Sequence, residues 1–155
     1  MKFYESSFKD YIETKNNYNI HKKNILFDKI ENTIFYGPPG TGKYSYVLDI
    51  IKKFSDSELK YEKKVTCIND KQEHIYKMSD IHFEIDFSLL GCNSKQIWND
   101  IYNQINEIVA LRPNNKCIII CKNFHNIHSE LLDLFYSYME QGSSNIYNIN
   151  IYFYI

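Results

Sequence analysis

The stretch FYGPPGTGKYSY, residues 35–46, constrains this chain more than any other. The apolar run NTIFYG ends at Gly37 and reads as a buried strand by its length and flanking residues. Beyond it, Val47, Leu48, Ile51 and Phe54 recur at helical spacing, which predicts a helix over 43–54. Between strand and helix, Gly37, Pro38, Pro39, Gly40, Thr41, Gly42 and Lys43 match the first seven positions of G-x-x-x-x-G-K-[ST]. Glycines there let backbone amides approach phosphate oxygens. The helix start adds N–H groups and the positive end of its dipole. Lys43 reaches the β- and γ-phosphates as a point charge. A Gly/Pro turn that happens to precede a lysine is the bland alternative, and the strand–loop–helix context weighs against it.

The eighth position breaks the pattern. A Ser or Thr hydroxyl there coordinates Mg²⁺, which neutralises phosphate charge during transfer. This chain has Tyr44, whose hydroxyl lies too far from the helix start. Ser45 is next, but successive helical residues point about 100° apart, so it is no simple substitute. The expected nucleotide-binding set is therefore Gly37 to Ser45, with metal ligands unassigned.

A second departure lies near the segment CIIIC. A hydrolytic phosphate-loop enzyme needs a strand ending in Asp, often Asp-Glu, to orient Mg²⁺ and water. Here Lys122 and Asn123 occupy those places, and the next acidic residue is Glu130. Asn123 can orient a water but cannot act as a general base. Lys122 would put a positive charge where a cation belongs, unless its side chain turns away. Phosphate binding is expected; Mg²⁺-dependent hydrolysis is not.

The rest of the chain frames that site. Its 155 residues suit one domain with a real core, and 44% hydrophobic with 24% charged residues is a globular composition. Net charge is −1, so a DNA contact would need a local patch or partner subunits. Heavy use of Asn, Ile, Lys and Tyr reads as the imprint of an AT-rich coding sequence, as in a virus or protist. Cys67, Cys92, Cys117 and Cys121 form no CxxC pair, and no signal peptide or long apolar span appears. A soluble, intracellular setting without a membrane is therefore expected. Cys117 and Cys121 read as small buried hydrophobes.

Residues 1–24 read as an N-terminal extension, with KNNYN a turn and Phe8, Tyr11 and Tyr18 at the spacing of a short helix. KKVTCIND and EHIYKM alternate around Asn69-Asp70, which predicts a β-hairpin. DIHFEID predicts a strand with Ile81, Phe83 and Ile85 on one face. Residues 94–110 predict a helix capped by Ser94, with Ile97, Trp98, Ile101, Ile105 and Ile108 as its apolar stripe. NNKCIIIC reads as a parallel strand covered on both faces. Leu131, Leu132, Phe135 and Met139 point inward from a helix over 129–141 that stops at Gly142, and INIYFYI predicts a last strand. His125 and His128 suit loop packing better than a metal site, and Trp98 suits the core better than base stacking. Alternating strands and helices give an α/β sheet with right-handed crossovers and a small hairpin insertion.

The order of these segments resembles the AAA+ ATPase domain of clamp-loader small subunits, the replication factor C family. IFYGPPGTGKYSYVLDII is similar to that family's first strand, P-loop and helix. IHFEIDFSLLGCNSKQIWNDIYNQI resembles its strand, loop and amphipathic helix preceded by E-x-N-x-S-D. KCIIICKNFHNIHSELLDLFYSYMEQ resembles its Walker B strand and following helix, and NIYFYI falls where the sensor 1 strand begins. The resemblance covers residues 25–155 and implies a P-loop NTPase sheet of AAA+ type, with the sensor 1 strand between the P-loop and Walker B strands. One branch of that family carries its Ser/Thr one position late, as Tyr44-Ser45 does here, and also has the inserted hairpin.

The resemblance implies an ATP-binding subunit acting in DNA replication. Its partners would be other AAA+ subunits and, through the complex, a sliding clamp and DNA, in the nucleus or at a cytoplasmic viral replication site. The chain departs from the family in lacking the Walker B carboxylates, the N-terminal Trp/Tyr-Arg-Pro signature, the sensor Asn, the arginine finger, the lid and the collar. The expectation is either a fragment truncated after the sensor 1 strand or a relic that needs a partner to cover its exposed lid face. Two alternatives stay open: a scaffold that needs no nucleotide, and an ATPase completed by a neighbour's residues.

Overall fold

A computed structural model describes residues 7–13, 32–69, 72–113, 116–140 and 148–154. The described elements are α1 (Phe8–Glu13), β1 (Thr33–Phe35), α2 (Lys43–Lys52), β2 (Lys63–Asn69), β3 (Gln72–Met78), β4 (His82–Asp86), α3 (Ser94–Ala110), β5 (Lys116–Lys122), α4 (Ser129–Glu140) and β6 (Asn148–Tyr154). The expected KNNYN turn, Tyr18 and the stop at Gly142 lie outside the described residues.

One six-stranded mixed sheet runs in the order β1-β6-β5-β4-β3-β2. Strands β1, β6, β5 and β4 pair in parallel, whereas β3 and β2 continue the sheet antiparallel. The last strand in sequence thus lies between the first strand and β5. The chain crosses from β1 over to the β4 side and then steps back through β5 to β6. Right-handed crossovers in those two directions put α2 on one face and α3 with α4 on the other.

The two cores follow from this division. On one face, Trp98, Ile101, Ile105, Val109, Leu131 and Phe135 pack with Phe83, Ile85, Ile119 and the Cys117 and Cys121 thiols. Trp98 is fully enclosed, its ring centroid 4.9 Å from that of Phe135 and 5.3 Å from that of Phe87. On the other face, Phe8, Tyr44, Val47, Leu48, Ile51 and Leu59 cover Ile118 and Ile120. Strand β5 is therefore buried from Cys117 to Cys121, as its unbroken apolar run requires. Phe8, from the expected extension, is wholly buried in the second core.

Several local expectations need correction. Strand β1 is an edge strand paired to β6, so it is not buried: Ile34 is 49% and Tyr36 84% exposed. Helix α2 ends at Lys52, because Phe54 and Ser55 donate to the carbonyls of Ile51 and Lys52 three residues back and tighten the chain into turns. Asp80 then clamps that turn, accepting from Ser55 Oγ at 2.8 Å and from the Ser57 amide at 3.0 Å. Ser94 does not cap α3; Asn93 holds the cap position without a side-chain bond, and Ser94 is buried inside the first turn. The fifth stripe residue of α3 is Val109, fully buried, with Ile108 partly so.

Strand β4 departs most. Phe83 and Ile85 share a face as expected, but Ile81 packs into the opposite core. The polar positions are also covered: His82 is fully buried and Glu84 is 6% exposed. Their side chains lie under α1 and α2, where the Phe8 ring sits 4.8 Å from that of His82.

Candidate phosphate-binding site

The four parallel strands end together at one edge, which brings the turn after β1, Asp86 of β4 and Lys122-Asn123 of β5 to the same rim. In open α/β sheets, ligands bind outside the carboxyl ends of the strands, where connections diverge to opposite faces. Here the connection leaving β1 feeds α2, while those joining β4, β5 and β6 use the opposite face.

The glycine loop has the backbone its sequence demands. Gly40 and Gly42 both have φ of 77°, a left-handed conformation that glycine adopts without cost. No neighbouring atom crowds a Cβ built at Gly40, so the backbone angle and not space selects glycine there. The first intrahelical bond of α2 runs from the Tyr46 amide to the Gly42 carbonyl at 3.0 Å, and Gly42 supplies no side-chain cap. The amides of the first turn lie ahead of the helical ladder, the usual place for an anion. Thr41 Oγ1 closes the turn by donating to the Pro38 carbonyl at 2.9 Å. The Lys43 ammonium curls into the loop and donates to the carbonyls of Gly37 and Pro38, both at 2.6 Å. Pro38, Pro39, Gly40 and Thr41 are exposed, while Gly37, Gly42, Lys43 and Ser45 are half-buried.

Tyr44 turns inward. It is 8% exposed, and its hydroxyl donates to Glu84 Oε2 at 2.5 Å. Burial first, and then the Glu84 charge, push its phenol far above the ordinary range, so it is a proton donor at any working pH. Lys122 does not turn away: its Nζ lies 3.2 Å from Glu84 Oε1 and 4.5 Å from the centroid of the Tyr44 ring. Tyr44 and Lys122, the two sequence departures, thus converge on one carboxylate. Asn123 adopts a left-handed φ of 52°, which asparagine tolerates, and its amide donates to Asp86 at 2.9 and 3.1 Å. Asp86 also accepts from the Ser88 amide and hydroxyl, at 3.0 and 2.6 Å.

Compared with known proteins, the chain matches no family model and no curated sequence.

The loop fits a phosphate group: it offers glycine backbone, a helix start and an ammonium. The flanking residues do not fit Mg²⁺, which takes oxygen ligands in near-octahedral array. The Tyr44 hydroxyl is committed to Glu84, and the Lys122 ammonium occupies the side of Glu84 facing it. Among the described residues, no group of three or more His, Cys, Asp or Glu could hold a metal ion.

Sequence reasoning missed Glu84 and Asp86. Their period-2 spacing in HFEID placed them on one face, but that face read as the polar side of a half-buried strand. The parallel register pairing Glu84 with Ile120 and Asp86 with Lys122 is long-range information. His125 and His128 are exposed loop residues, and Trp98 is core, as expected. Cys67, Cys117 and Cys121 are buried free thiols, whereas Cys92 is exposed. Three clefts, of about 540, 550 and 420 Å³, are not lined by the loop, and the second of them includes Asp86. No helix among the described residues is long and apolar enough to cross a membrane.

Proposed function

We propose that this chain is a P-loop nucleotide-binding module of AAA+ clamp-loader type that holds the phosphates of ATP without hydrolysing them. The observation that carries this reading is the glycine loop itself, folded between β1 and α2 with Lys43 drawn inside it. The AAA+ assignment draws support from the strand order, because β6 lies between β1 and β5 as the sensor 1 strand lies between P-loop and Walker B strands. Loss of hydrolysis draws support from Lys122, whose ammonium stands where a carboxylate would be needed. In this reading the module serves DNA replication through AAA+ partner subunits that engage a sliding clamp and DNA.

The scaffold reading keeps one specific support: the Lys43 ammonium already bonds two loop carbonyls, so the loop is held together without a ligand. Titration of ATP into the wild type and Lys43→Ala, together with a phosphate-release assay, separates the possibilities. The proposal expects saturable binding, weakened at least about tenfold by Lys43→Ala, as for loss of a charge-assisted hydrogen bond. It expects no phosphate release above background. Absence of binding would leave the scaffold, and rapid turnover by the isolated chain would show the metal reasoning to be wrong.

A further inference from the structure

We infer that the Lys122 ammonium takes the place of the divalent cation and binds the terminal phosphate of a nucleoside triphosphate. The inference rests on the phosphate-binding reading above and adds a second cation from β5 to Lys43 of the loop. Three observations carry it.

First, the ammonium is fixed in position. Glu84, itself 6% exposed, holds it at 3.2 Å from one side. The Tyr44 ring lies 4.5 Å away on another side, within range of a cation–π contact. Second, it sits beside the phosphate cradle. Cys121 pairs with Phe153 of β6 and Phe35 pairs with Tyr154, so Lys122 leaves the sheet at the same level as the strand that feeds the loop, and the ring it faces belongs to the first turn of α2. Third, it keeps access to solvent. The Lys122 side chain is 26% exposed, and an ammonium has three donors, of which Glu84 takes one. A phosphate oxygen can therefore accept from Lys122 without breaking its bond to Glu84.

The charge balance also differs from that of a metal site. Carboxylates around Mg²⁺ leave a net positive or neutral centre facing the phosphates. Here one carboxylate and one ammonium cancel, with the ammonium on the exposed side and the carboxylate buried behind it. The exposed end of this pair favours an anion, at a site that cannot recruit a hard cation. Triphosphate should bind without metal and be preferred over diphosphate, because the third phosphate is the group that reaches beyond the loop.

The test measures ATP and ADP affinity in excess EDTA for wild type, Lys122→Met, Lys122→Arg and Glu84→Gln, with folding checked by circular dichroism. The wild type should prefer ATP to ADP. Lys122→Met should weaken ATP about tenfold and ADP less than about twofold, whereas Lys122→Arg should retain most of the ATP preference. Glu84→Gln, which removes the opposing charge and keeps the ammonium, should bind ATP at least as tightly as wild type. If Lys122→Met is folded and binds ATP like wild type while Lys43→Ala does not, the inference fails and the phosphate-loop reading stands. If Lys122→Met does not fold, weakening of ATP by Glu84→Gln would overturn the inference in its place. Absence of ATP and ADP binding by the wild type would overturn the reading and the inference together.

Discussion

The Lys122 ammonium lies 4.5 Å from the centroid of the Tyr44 ring, and both side chains bond the Glu84 carboxylate. The two residues come from different elements, the first turn of α2 and the end of β5. In the proposed reading they occupy the two positions at which a hydrolytic phosphate loop handles its metal. In the sequence the two stand far apart; in the fold they form one contact.

That contact has a stability consequence. Lys122→Met strands the buried Glu84 charge and should cost about 3 kcal/mol, the low end for a broken buried ion pair. Removing both charges in the Lys122→Met/Glu84→Gln double variant should cost less than the Lys122 change alone, because no uncompensated carboxylate remains. A double-mutant cycle by denaturant unfolding checks this. Additive costs would show that the two side chains do not depend on each other.

His82 gives the fold an acid-side weakness. It is fully buried, and burial pushes its imidazole down to about 3; Asp80 opposes this, and Arg112 adds to it. Below pH 6.5 the unfolded chain takes up a proton at this position that the folded chain refuses. Stability is thus fully present above 6.5 and falls as pH drops toward 3, by up to about 1.4 kcal/mol per pH unit. His82→Leu should flatten that slope, since Ser79 Oγ still accepts from the amides at positions 81 and 82. Unfolding curves at several pH values give the slope directly; equal slopes in wild type and variant would refute the assignment.

The aromatic cluster offers a test of the α3–α4 face. Phe135 is 1% exposed and touches Trp98, Phe87 and Phe124 at centroid distances of 4.9 to 5.5 Å. Phe135→Ala should cost about 3–5 kcal/mol through the cavity it leaves. Trp98 is the sole tryptophan of the sequence, so its fluorescence reports the same change. A cost below about 1 kcal/mol would mean that the cluster is not packed as described.

Local chemistry makes most elements legible in the sequence. The glycine loop announced itself because left-handed backbone at Gly40 and Gly42 leaves few other residues possible. Strand β5 and the stripe of α3 were legible because their apolar periods match their burial. Strand β1 was not, because an apolar run does not say whether a sheet continues beyond it. The polar face of β4 failed for a related reason. Alternation distinguishes two faces of a strand, but not whether α2 covers the polar one. Glu84 became visible as a site residue once the β4–β5 register set it under Tyr44 and beside Lys122.

The most direct measurement is calorimetric titration of ATP into the wild-type chain, once in excess EDTA and once in excess Mg²⁺. A phosphate loop whose cation is Lys122 should bind one ATP in EDTA, with an affinity within about twofold of that in Mg²⁺. Saturable binding that appears with Mg²⁺ and vanishes in EDTA would contradict the account.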